Sequence, residues 1–327
     1  MAFRNRFGWS FSRESMFDAC MRRYYLHYYL SWNGWNAGAP AVAREAFKLK
    51  RLVSLPLWRG QLVHYIAGKV LQSMRRKGRI PDLRDVVKYM NERFQHQLAF
   101  SESRRYLTEP KKRGGKLNID WLALFEHEYG RILDPGLIER ARTECVQAIE
   151  GLFQSPMLRR AAETDSSRWV VEDLDHAEFS QSFSFDGVTV YIKTDFLFRD
   201  NDGTLCIVDW KTNRGSRPGD GAEHKEPDAA VQLGVYGYYA ATVLSVPADM
   251  IRLYEVNLLR GGTVTEHAVR EEMIERFRTH IAGGIAKLSS VLVGGDRERN
   301  EPTAADHFPA IVNGRCNTCN FLRICKD

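Results

Sequence analysis

A β-hairpin pattern over residues 188–211 limits the folds that this chain can adopt. Strand-forming apolar residues fill 188–198 and 205–210, and Asp200-Asn201-Asp202-Gly203 between them favours a tight turn. Further strand-like runs lie upstream at 169–171 and 179–185, and downstream at 251–258 and 264–269. The second half of the chain is therefore predicted to contain a β-sheet.

Helix-forming patterns occupy most of the first half and flank the strands of the second half. In residues 57–77, Val63, Ala67, Val70 and Met74 recur with the 3.6-residue period of an amphipathic helix. Further helices are predicted at 1–30, within 82–150, at 229–244 and at 271–293. The chain is therefore expected to have an α/β or α+β fold. We divide it into a helical segment at 1–56, a second helical region at 57–165, a sheet-bearing core at 166–295 and a tail at 296–327.

The composition is that of an ordinary globular protein. The 327 residues are 44% hydrophobic and 27% charged, and no apolar run approaches the ~18 residues of a membrane span. The basic residues near the start precede no apolar core, so no secretory signal is expected. We therefore expect a cytoplasmic protein with no membrane partner.

Basic residues are concentrated in two runs, although the formal charge of +6 is modest. One run is 75–79, and the other is 111–116, which includes Lys111, Lys112 and Arg113. Such runs occur on solvated helix ends and loops, and they also bind phosphate groups. Both interpretations stay open here. If the runs bind phosphate, residues 111–116 are our candidate for binding nucleic acid.

Two acidic residues and a lysine are predicted to meet at the end of the hairpin. A hairpin centred on Asp202 places Asp195 opposite Asp209, and side-chain alternation puts Lys211 on the same face as Asp209. Neighbouring carboxylates repel unless a cation lies between them, and a hard divalent cation also accepts a backbone carbonyl such as that of Trp210. The alternative is a set of solvated hairpin-end residues with Lys211 as an ion-pair partner.

Gln232 and Tyr236, four residues apart on the helix predicted at 229–244, share one helix face. The order Asp195, Asp209-Trp210-Lys211 and Gln232-x-x-x-Tyr236 resembles the nuclease domain of the RecB family within the PD-(D/E)XK superfamily. The resemblance implies a restriction-endonuclease-like α/β fold, with a mixed central sheet flanked by helices. A helical N-terminal region and a helical insertion would be added to that core.

The same resemblance implies a metal site. In the family, a histidine on an upstream helix completes this site, and His64 matches it in the sequence Gly60-Gln61-Leu62-Val63-His64. The implied ligands of Mg²⁺ or Mn²⁺ are thus His64, Asp195, Asp209 and the carbonyl of Trp210. Taken alone, a histidine beside an apolar helix stripe is more commonly a structural residue.

The remaining site residues have implied roles in catalysis. Lys211 would position the attacking water, and Gln232 and Tyr236 would orient that water, Lys211 or a substrate phosphate. Lys193 departs from the family, which usually has a glycine two residues before the first aspartate. Its side chain either crowds the site or supplies one more phosphate contact.

Three of the six cysteines lie in the last twelve residues, and this clustering points to a metal centre. Cys316 and Cys319 form a C-x2-C motif, and Cys325 follows. Three thiolates leave a metal centre one ligand short, and Cys20 is the candidate fourth ligand. Cys145 and Cys206 are expected to be packing residues.

The sequence around Cys20 resembles the N-terminal segment of iron–sulfur nucleases in this family. These include AddB-type helicase–nuclease subunits and CRISPR-associated RecB-like exonucleases, although Met21 stands where they commonly have proline. The resemblance implies a [4Fe–4S] cluster held by one N-terminal and three C-terminal cysteines. A Zn²⁺ ion bound by the same four cysteines is the alternative.

The function expected from these patterns is a metal-dependent DNA nuclease acting on single-stranded or free-ended DNA, as an exonuclease rather than an endonuclease. The alternative is a DNA-end-binding or assembly module with little cleavage of its own, and RNA is not excluded as a substrate. The sequence has no Walker-type motif, so a helicase partner would be encoded separately.

Overall fold

The computed structural model describes residues 4–169, 180–213 and 226–325. The helices are α1 (Phe11–Ala19), α2 (Met21–Tyr25), α3 (Ala41–Leu49), α4 (Leu55–Lys77), α5 (Leu83–Glu102), α6 (Phe125–Glu128), α7 (Pro135–Gln154), α8 (Pro156–Ala162), α9 (Glu226–Thr242) and α10 (Glu271–Ser289). The strands are β1 (Gly8–Trp9), β2 (Lys112–Arg113), β3 (Lys116–Leu117), β4 (Ser180–Phe185), β5 (Val188–Lys193), β6 (Phe196–Arg199), β7 (Leu205–Lys211), β8 (Ile251–Asn257) and β9 (Thr263–Ala268). The strand predicted at 169–171 lies outside the described residues except for Trp169, which is not in a strand.

The described strands form two mixed sheets and one small hairpin. In the first sheet β5 lies between β1, which runs parallel to it, and β4, which runs antiparallel. The second sheet has the order β6-β7-β8-β9, with β7 and β8 parallel and the outer pairs antiparallel. Helix α9 packs on β8 and against α10. The predicted restriction-endonuclease-like α/β class is confirmed, with two sheets where one was expected.

The strand predicted at 188–198 is divided between the two sheets. β5 ends at Lys193 in the first sheet, and β6 begins at Phe196 in the second. Between them, Oδ2 of Asp195 accepts a hydrogen bond from the backbone N–H of Trp210 at 2.8 Å. A side chain thus takes the place of a ladder hydrogen bond here, which lets the chain leave one sheet and enter the other. The predicted hairpin register is correct, because Phe196 pairs with Val208.

The N-terminal segment is only partly helical. Gly8 and Trp9 form a strand where a helix was expected, and Gly8 pairs with Thr189 of β5. A π-helical turn at Leu26–Leu30 follows α2. A Cβ at position 8 would come within 2.7 Å of the Tyr191 ring, so only glycine fits this approach without displacing that ring.

Long-range polar contacts tie the N-terminal segment to the C-terminal part of the chain. They include an ion pair, two hydrogen bonds from side chains and one from a backbone N–H. The pairs are Glu14–Lys287 at 2.8 Å, Tyr29–Asn300 at 3.1 Å, Arg22–Pro309 at 3.1 Å and Leu52–Asn320 at 2.7 Å. Each pair joins residues that are more than 260 positions apart.

Helix α4 is the central helix of the N-terminal region. The stripe predicted on it is confirmed, since Val63, Ala67, Val70 and Met74 are all buried. The helix packs against α5 and α7. It ends at Gly78, whose φ of 65° is a left-handed conformation that favours glycine. No described helix combines the length and hydropathy that a bilayer span requires.

The basic run 111–116 forms a hairpin that interrupts the helices. Strands β2 and β3 pair antiparallel, and the turn is made by Gly114 and Gly115, both with positive φ. Lys111 and Lys112 are exposed on this hairpin. The four segment boundaries proposed above remain a prediction.

Gly151 of α7 is expected to be intolerant of alanine. A Cβ there would overlap the carbonyl oxygen of Leu258, which is backbone and cannot rotate away. We expect Gly151→Ala to lower the free energy of unfolding by about 1–3 kcal/mol. Gly283→Ala in α10 is the matched control, since a Cβ there would have no neighbouring heavy atom within 4 Å. This control should raise the free energy of unfolding by up to about 1 kcal/mol. Urea unfolding checks both, and equal changes would contradict the close packing at Gly151.

Candidate active site

Asp195 is the residue at which the two sheets and α4 meet. Nδ1 of His64, on α4, lies 2.7 Å from Oδ1 of Asp195. The other oxygen, Oδ2, accepts the N–H of Trp210 from β7. Because both carboxylate oxygens are engaged, the Asp195 side chain is held in one orientation between the helix and the strand.

Asp209 and Lys211 extend from one face near the end of β7. The Nζ atom of Lys211 is 2.6 Å from Oδ2 of Asp209, as the alternation of side chains predicted. Asp209 is only 4% exposed. The structure therefore places a buried ion pair beside the Asp195–His64 pair, rather than a set of solvated hairpin-end residues.

Helix α9 completes a chain of hydrogen bonds that begins at the ion pair. Lys211 Nζ donates to Oε1 of Gln232 at 3.3 Å, and Nε2 of Gln232 donates to the hydroxyl of Tyr236 at 2.8 Å. The Tyr236 hydroxyl in turn donates to the backbone carbonyl of Lys193. The helical spacing of Gln232 and Tyr236 thus connects the end of β7 to the end of β5.

Burial and mutual proximity set the protonation of the two acids. Burial and the Asp195 carboxylate raise the pKa of Asp209 to about 6, and Lys211 only partly opposes this. Burial also acts to raise the pKa of Asp195, but His64 and the Trp210 N–H outweigh it, so this pKa is lowered. Asp195 is therefore the more readily ionised of the pair, and ionising Asp209 costs free energy.

The basic and phenolic groups of the site all have raised pKa values. Burial alone would lower the pKa of His64 and of Lys211, but Asp195 and Asp209 respectively outweigh it, so both pKa values are raised. Burial and the two carboxylates hold the pKa of Tyr236 well above its ordinary value. Tyr236 therefore stays a hydroxyl donor, and Lys211 stays a cation.

Arg59 is a residue near this site that the sequence analysis did not identify. Its guanidinium donates to the backbone carbonyl of Thr212 at 2.8 Å and forms an ion pair with Glu144. Gly60 lies next to it, and a Cβ there would be 3.0 Å from the Thr212 hydroxyl. Arg59 holds the end of β7 against α4, and Gly60 leaves room for this close approach. Their position about one helical turn before His64 was the sequence signal that could have identified them.

Cys20 lies in the same part of the fold as the three C-terminal cysteines, although among the described residues no three of them converge closely enough to hold a metal ion. The pKa of Cys325 is raised by burial and then by the neighbouring Cys319, Cys20 and Cys316. Two of the sulfur atoms accept backbone N–H groups at 3.5 Å, namely Cys20 from Arg23 and Cys316 from Asn313. The N-terminal cysteine is therefore near the C-terminal cysteines, and its place in a shared ligand set stays a prediction. Cys145 and Cys206 are buried, as expected of packing residues.

The predicted metal ligands are not arranged as a preformed site. Among the described residues, no three His, Cys, Asp or Glu side chains converge closely enough to hold a metal ion. At the acidic pair, Lys211 and His64 contact the carboxylates directly. A cation at this position would have to compete with Lys211 for Asp209.

The predicted nucleic-acid contacts are distributed over two surfaces. Lys111 and Lys112 are exposed on the β2–β3 hairpin, and Arg113 belongs to β2. Lys193 is exposed at the end of β5, close enough for its charge to act on Asp195 and His64. Of these residues, Lys193 is the one that the structure places beside the acidic pair.

Comparison with known proteins supports an assignment at the level of a superfamily. A search of curated proteins finds no match to the chain. The family model of the PD-(D/E)XK nuclease superfamily matches residues 8–326, which is nearly the whole chain. The matched range includes the acidic pair, Lys211, His64 and the cysteine motif. This chain belongs to the PD-(D/E)XK nuclease superfamily.

Proposed function

We propose that the chain is a metal-dependent deoxyribonuclease of the RecB type, which acts as an exonuclease on single-stranded or free-ended DNA. The observation that carries this proposal is the chain of contacts from Asp209 through Lys211 and Gln232 to Tyr236, with Asp195 held next to it by the Trp210 N–H and His64. A family member without activity would be expected to lack one of the acids or the lysine. This chain retains all three, in contact with their partners.

The acidic pair fits a hard divalent cation. Ionising Asp209 beside Asp195 is unfavourable, and a bound cation removes that cost. Carboxylate and carbonyl oxygens are the ligands that Mg²⁺ and Mn²⁺ prefer. We assign Asp195, Asp209, the Trp210 carbonyl and His64 as ligands. When bound, the ion would supply a lowered pKa for a water molecule and a positive charge next to the phosphate.

Lys211 acts on the attacking water in this proposal. Its ammonium group can donate a hydrogen bond to the water and neutralise charge that develops on the phosphate oxygens. Gln232 and Tyr236 fix the position of the ammonium group, since they link it to the backbone of Lys193. Attack of water on phosphorus breaks the bond to the 3′ oxygen, which leaves a 5′-phosphate and a 3′-hydroxyl.

We also propose that Cys20, Cys316, Cys319 and Cys325 bind a [4Fe–4S] cluster, with Zn²⁺ as the alternative. The donor set is four thiols, and the neighbouring cysteines contribute to the raised pKa of Cys319 and of Cys325. Soft thiolate ligands suit both an iron–sulfur cluster and Zn²⁺. Backbone N–H groups are already directed at the sulfurs of Cys20 and Cys316, as they are at the sulfur ligands of a metal centre.

Cleavage of linear and covalently closed circular single-stranded DNA tests the proposal. Protein purified without oxygen is incubated with Mn²⁺ or Mg²⁺, or with a chelator, and an RNA strand of the same sequence is included. We expect the linear DNA to be degraded only when the metal is present, and we expect the circle to persist. Metal removal should reduce the rate to background, because the ion lowers the pKa of water and neutralises charge.

The other outcomes separate the parts of the proposal. Cutting of the circle would establish an endonuclease and contradict the exonuclease assignment. Faster degradation of RNA would contradict the preference for DNA. Binding of DNA without cleavage of any substrate would contradict the nuclease proposal and favour an end-binding or assembly module.

A further inference from the structure

A cavity of about 160 Å³ lies directly beside the proposed active site, between the start of α1, the outer face of β5 and one face of α9. It is smaller than the roughly 300–1,000 Å³ of pockets that enclose a whole small ligand, so it suits one group of a larger molecule. Its polar and aromatic lining includes Ser10, Ser12, Tyr191, Lys193, Gln232 and Tyr236.

The cavity and the active site share two side chains. Gln232 and Tyr236 line the cavity, and they are also the residues that hold Lys211. The hydroxyl of Tyr236 donates to the carbonyl of Lys193, which joins the floor of the cavity to β5. A group in the cavity would therefore lie next to a phosphate that Lys211 and the acids act upon.

Tyr191 gives the cavity an aromatic wall. It is 43% exposed, while its neighbours Val190 and Ile192 are buried on the other face of β5. Its ring lies against the β1 backbone at Gly8, where a Cβ would come within 2.7 Å of the ring. The ring position is thus built into the fold by a glycine in the adjacent strand.

The lining combines the groups that recognise a nucleotide. An exposed aromatic ring stacks on a base of any sequence, and a lysine ammonium binds a phosphate. The hydroxyls of Ser10 and Ser12, 3.2 Å apart, add hydrogen-bonding groups to the lining. Neither Tyr191 nor the serines belong to the catalytic network described above.

We propose that this cavity is a subsite for the nucleotide adjacent to the scissile phosphodiester, with the base against the Tyr191 ring and its phosphate at Lys193. The inference rests on the proposed nuclease function, which it deepens by placing the substrate strand between β5 and α1. Recognition by stacking makes the subsite tolerant of sequence and selective for bases that are not paired.

Binding of single-stranded DNA containing 2-aminopurine tests the subsite in an Asp209→Asn background, where binding is separated from cleavage. Adding Tyr191→Ala should weaken binding roughly 5- to 150-fold, the factor that loss of one base–aromatic stack gives. It should also relieve the quenching of 2-aminopurine fluorescence on binding. Tyr191→Phe keeps the ring and should restore both, and Thr189→Ala on the same strand is the matched control.

Lys193→Gln provides a second readout that does not depend on the ring. The slope of log affinity against log salt should decrease by about 0.7, the contribution of one phosphate of a single strand. Tyr191→Ala should leave that slope unchanged. Unaltered affinity and fluorescence in Tyr191→Ala, or an unaltered slope in Lys193→Gln, would overturn the subsite.

These results are distinguishable from a failure of the nuclease proposal. If the wild-type chain cleaves DNA and Tyr191→Ala binds as tightly as its parent, the subsite is wrong and the nuclease stands. If the wild-type chain cleaves nothing but the Tyr191 and Lys193 variants change binding as expected, the cavity binds a nucleotide and the assignment of cleavage is wrong.

Discussion

Replacing Asp209 with asparagine is expected to abolish cleavage and to stabilise the metal-free protein. Asparagine keeps the shape of the side chain but removes the charge that a divalent ion needs, so the turnover rate should fall at least about 1,000-fold. Asp209 is buried beside Asp195, with its pKa raised to about 6, so at pH 8 its ionised form opposes folding. Asp209→Asn should therefore raise the free energy of unfolding by about 1–3 kcal/mol at pH 8, since one pKa unit corresponds to 1.36 kcal/mol.

The pH dependence gives this prediction a definite sign. The folded-state pKa of Asp209 lies above its unfolded value, so the folded state binds the proton more tightly. The stability difference between variant and wild type should be complete above about pH 6 and should vanish below about pH 4, where both states are protonated. Urea unfolding at pH 4 and pH 8, with a chelator present, measures it.

A second acidic residue supplies the control for Asp209. Asp202 is exposed in the β6–β7 turn, where Oδ1 accepts the N–H of Thr204 at 2.9 Å. Asp202→Asn keeps an acceptor at that place and should not alter cleavage. Because the Thr204 N–H lowers the pKa of Asp202, the ionised Asp202 carboxylate favours folding, so any effect of Asp202→Asn on stability should have the opposite sign to that of Asp209→Asn. Full activity of Asp209→Asn, or equal behaviour of the two variants, would exclude Asp209 as a metal ligand.

Loss of any one of the four clustered cysteines is expected to remove the metal centre and to destabilise the whole chain. The centre would join Cys20 to the C-terminal cysteines and close a loop of about 300 residues. Closing a loop of that length corresponds to on the order of 5 kcal/mol of chain entropy. We therefore expect Cys20→Ala and Cys319→Ala to bind no metal and to unfold at a clearly lower temperature.

Metal analysis and thermal unfolding check these cysteine variants. Cys145→Ala is the matched control, because Cys145 is a buried packing residue of α7. Its replacement should leave the metal content unchanged. Iron and sulfide in the wild type would support the [4Fe–4S] assignment, and one zinc per chain would support the alternative. A full complement of metal in Cys20→Ala would remove Cys20 from the ligand set.

The local features of the active site could be predicted because each depends on a short stretch of sequence. The register of the β6–β7 hairpin follows from its turn residues, and strand alternation then places Lys211 beside Asp209. The face shared by Gln232 and Tyr236 follows from helix geometry. These relations are fixed by backbone periodicity and need no knowledge of the tertiary fold.

Features that depend on distant contacts could not be predicted in the same way. The break between β5 and β6 depends on the Trp210 N–H, which is fifteen positions from the Asp195 side chain that accepts it. The β1 strand exists because Gly8 and Trp9 pair with β5, although the local pattern favours a helix. The Tyr191 cavity is likewise assembled from three separate parts of the chain, so no single segment contains a signal for it.

The contacts that join the N-terminal segment to the C-terminal part also determine when the chain can finish folding during its synthesis. The carbonyl of Leu52 can accept its hydrogen bond only after Asn320, 268 positions later, has been synthesised. Glu14 of α1 likewise forms its ion pair only after Lys287 has been synthesised. At about 5–20 residues per second, the ribosome needs roughly 15 to 55 s to supply the last of these partners. Until then the N-terminal segment lacks these contacts, so the fold described above is completed only after the C-terminal part has been made.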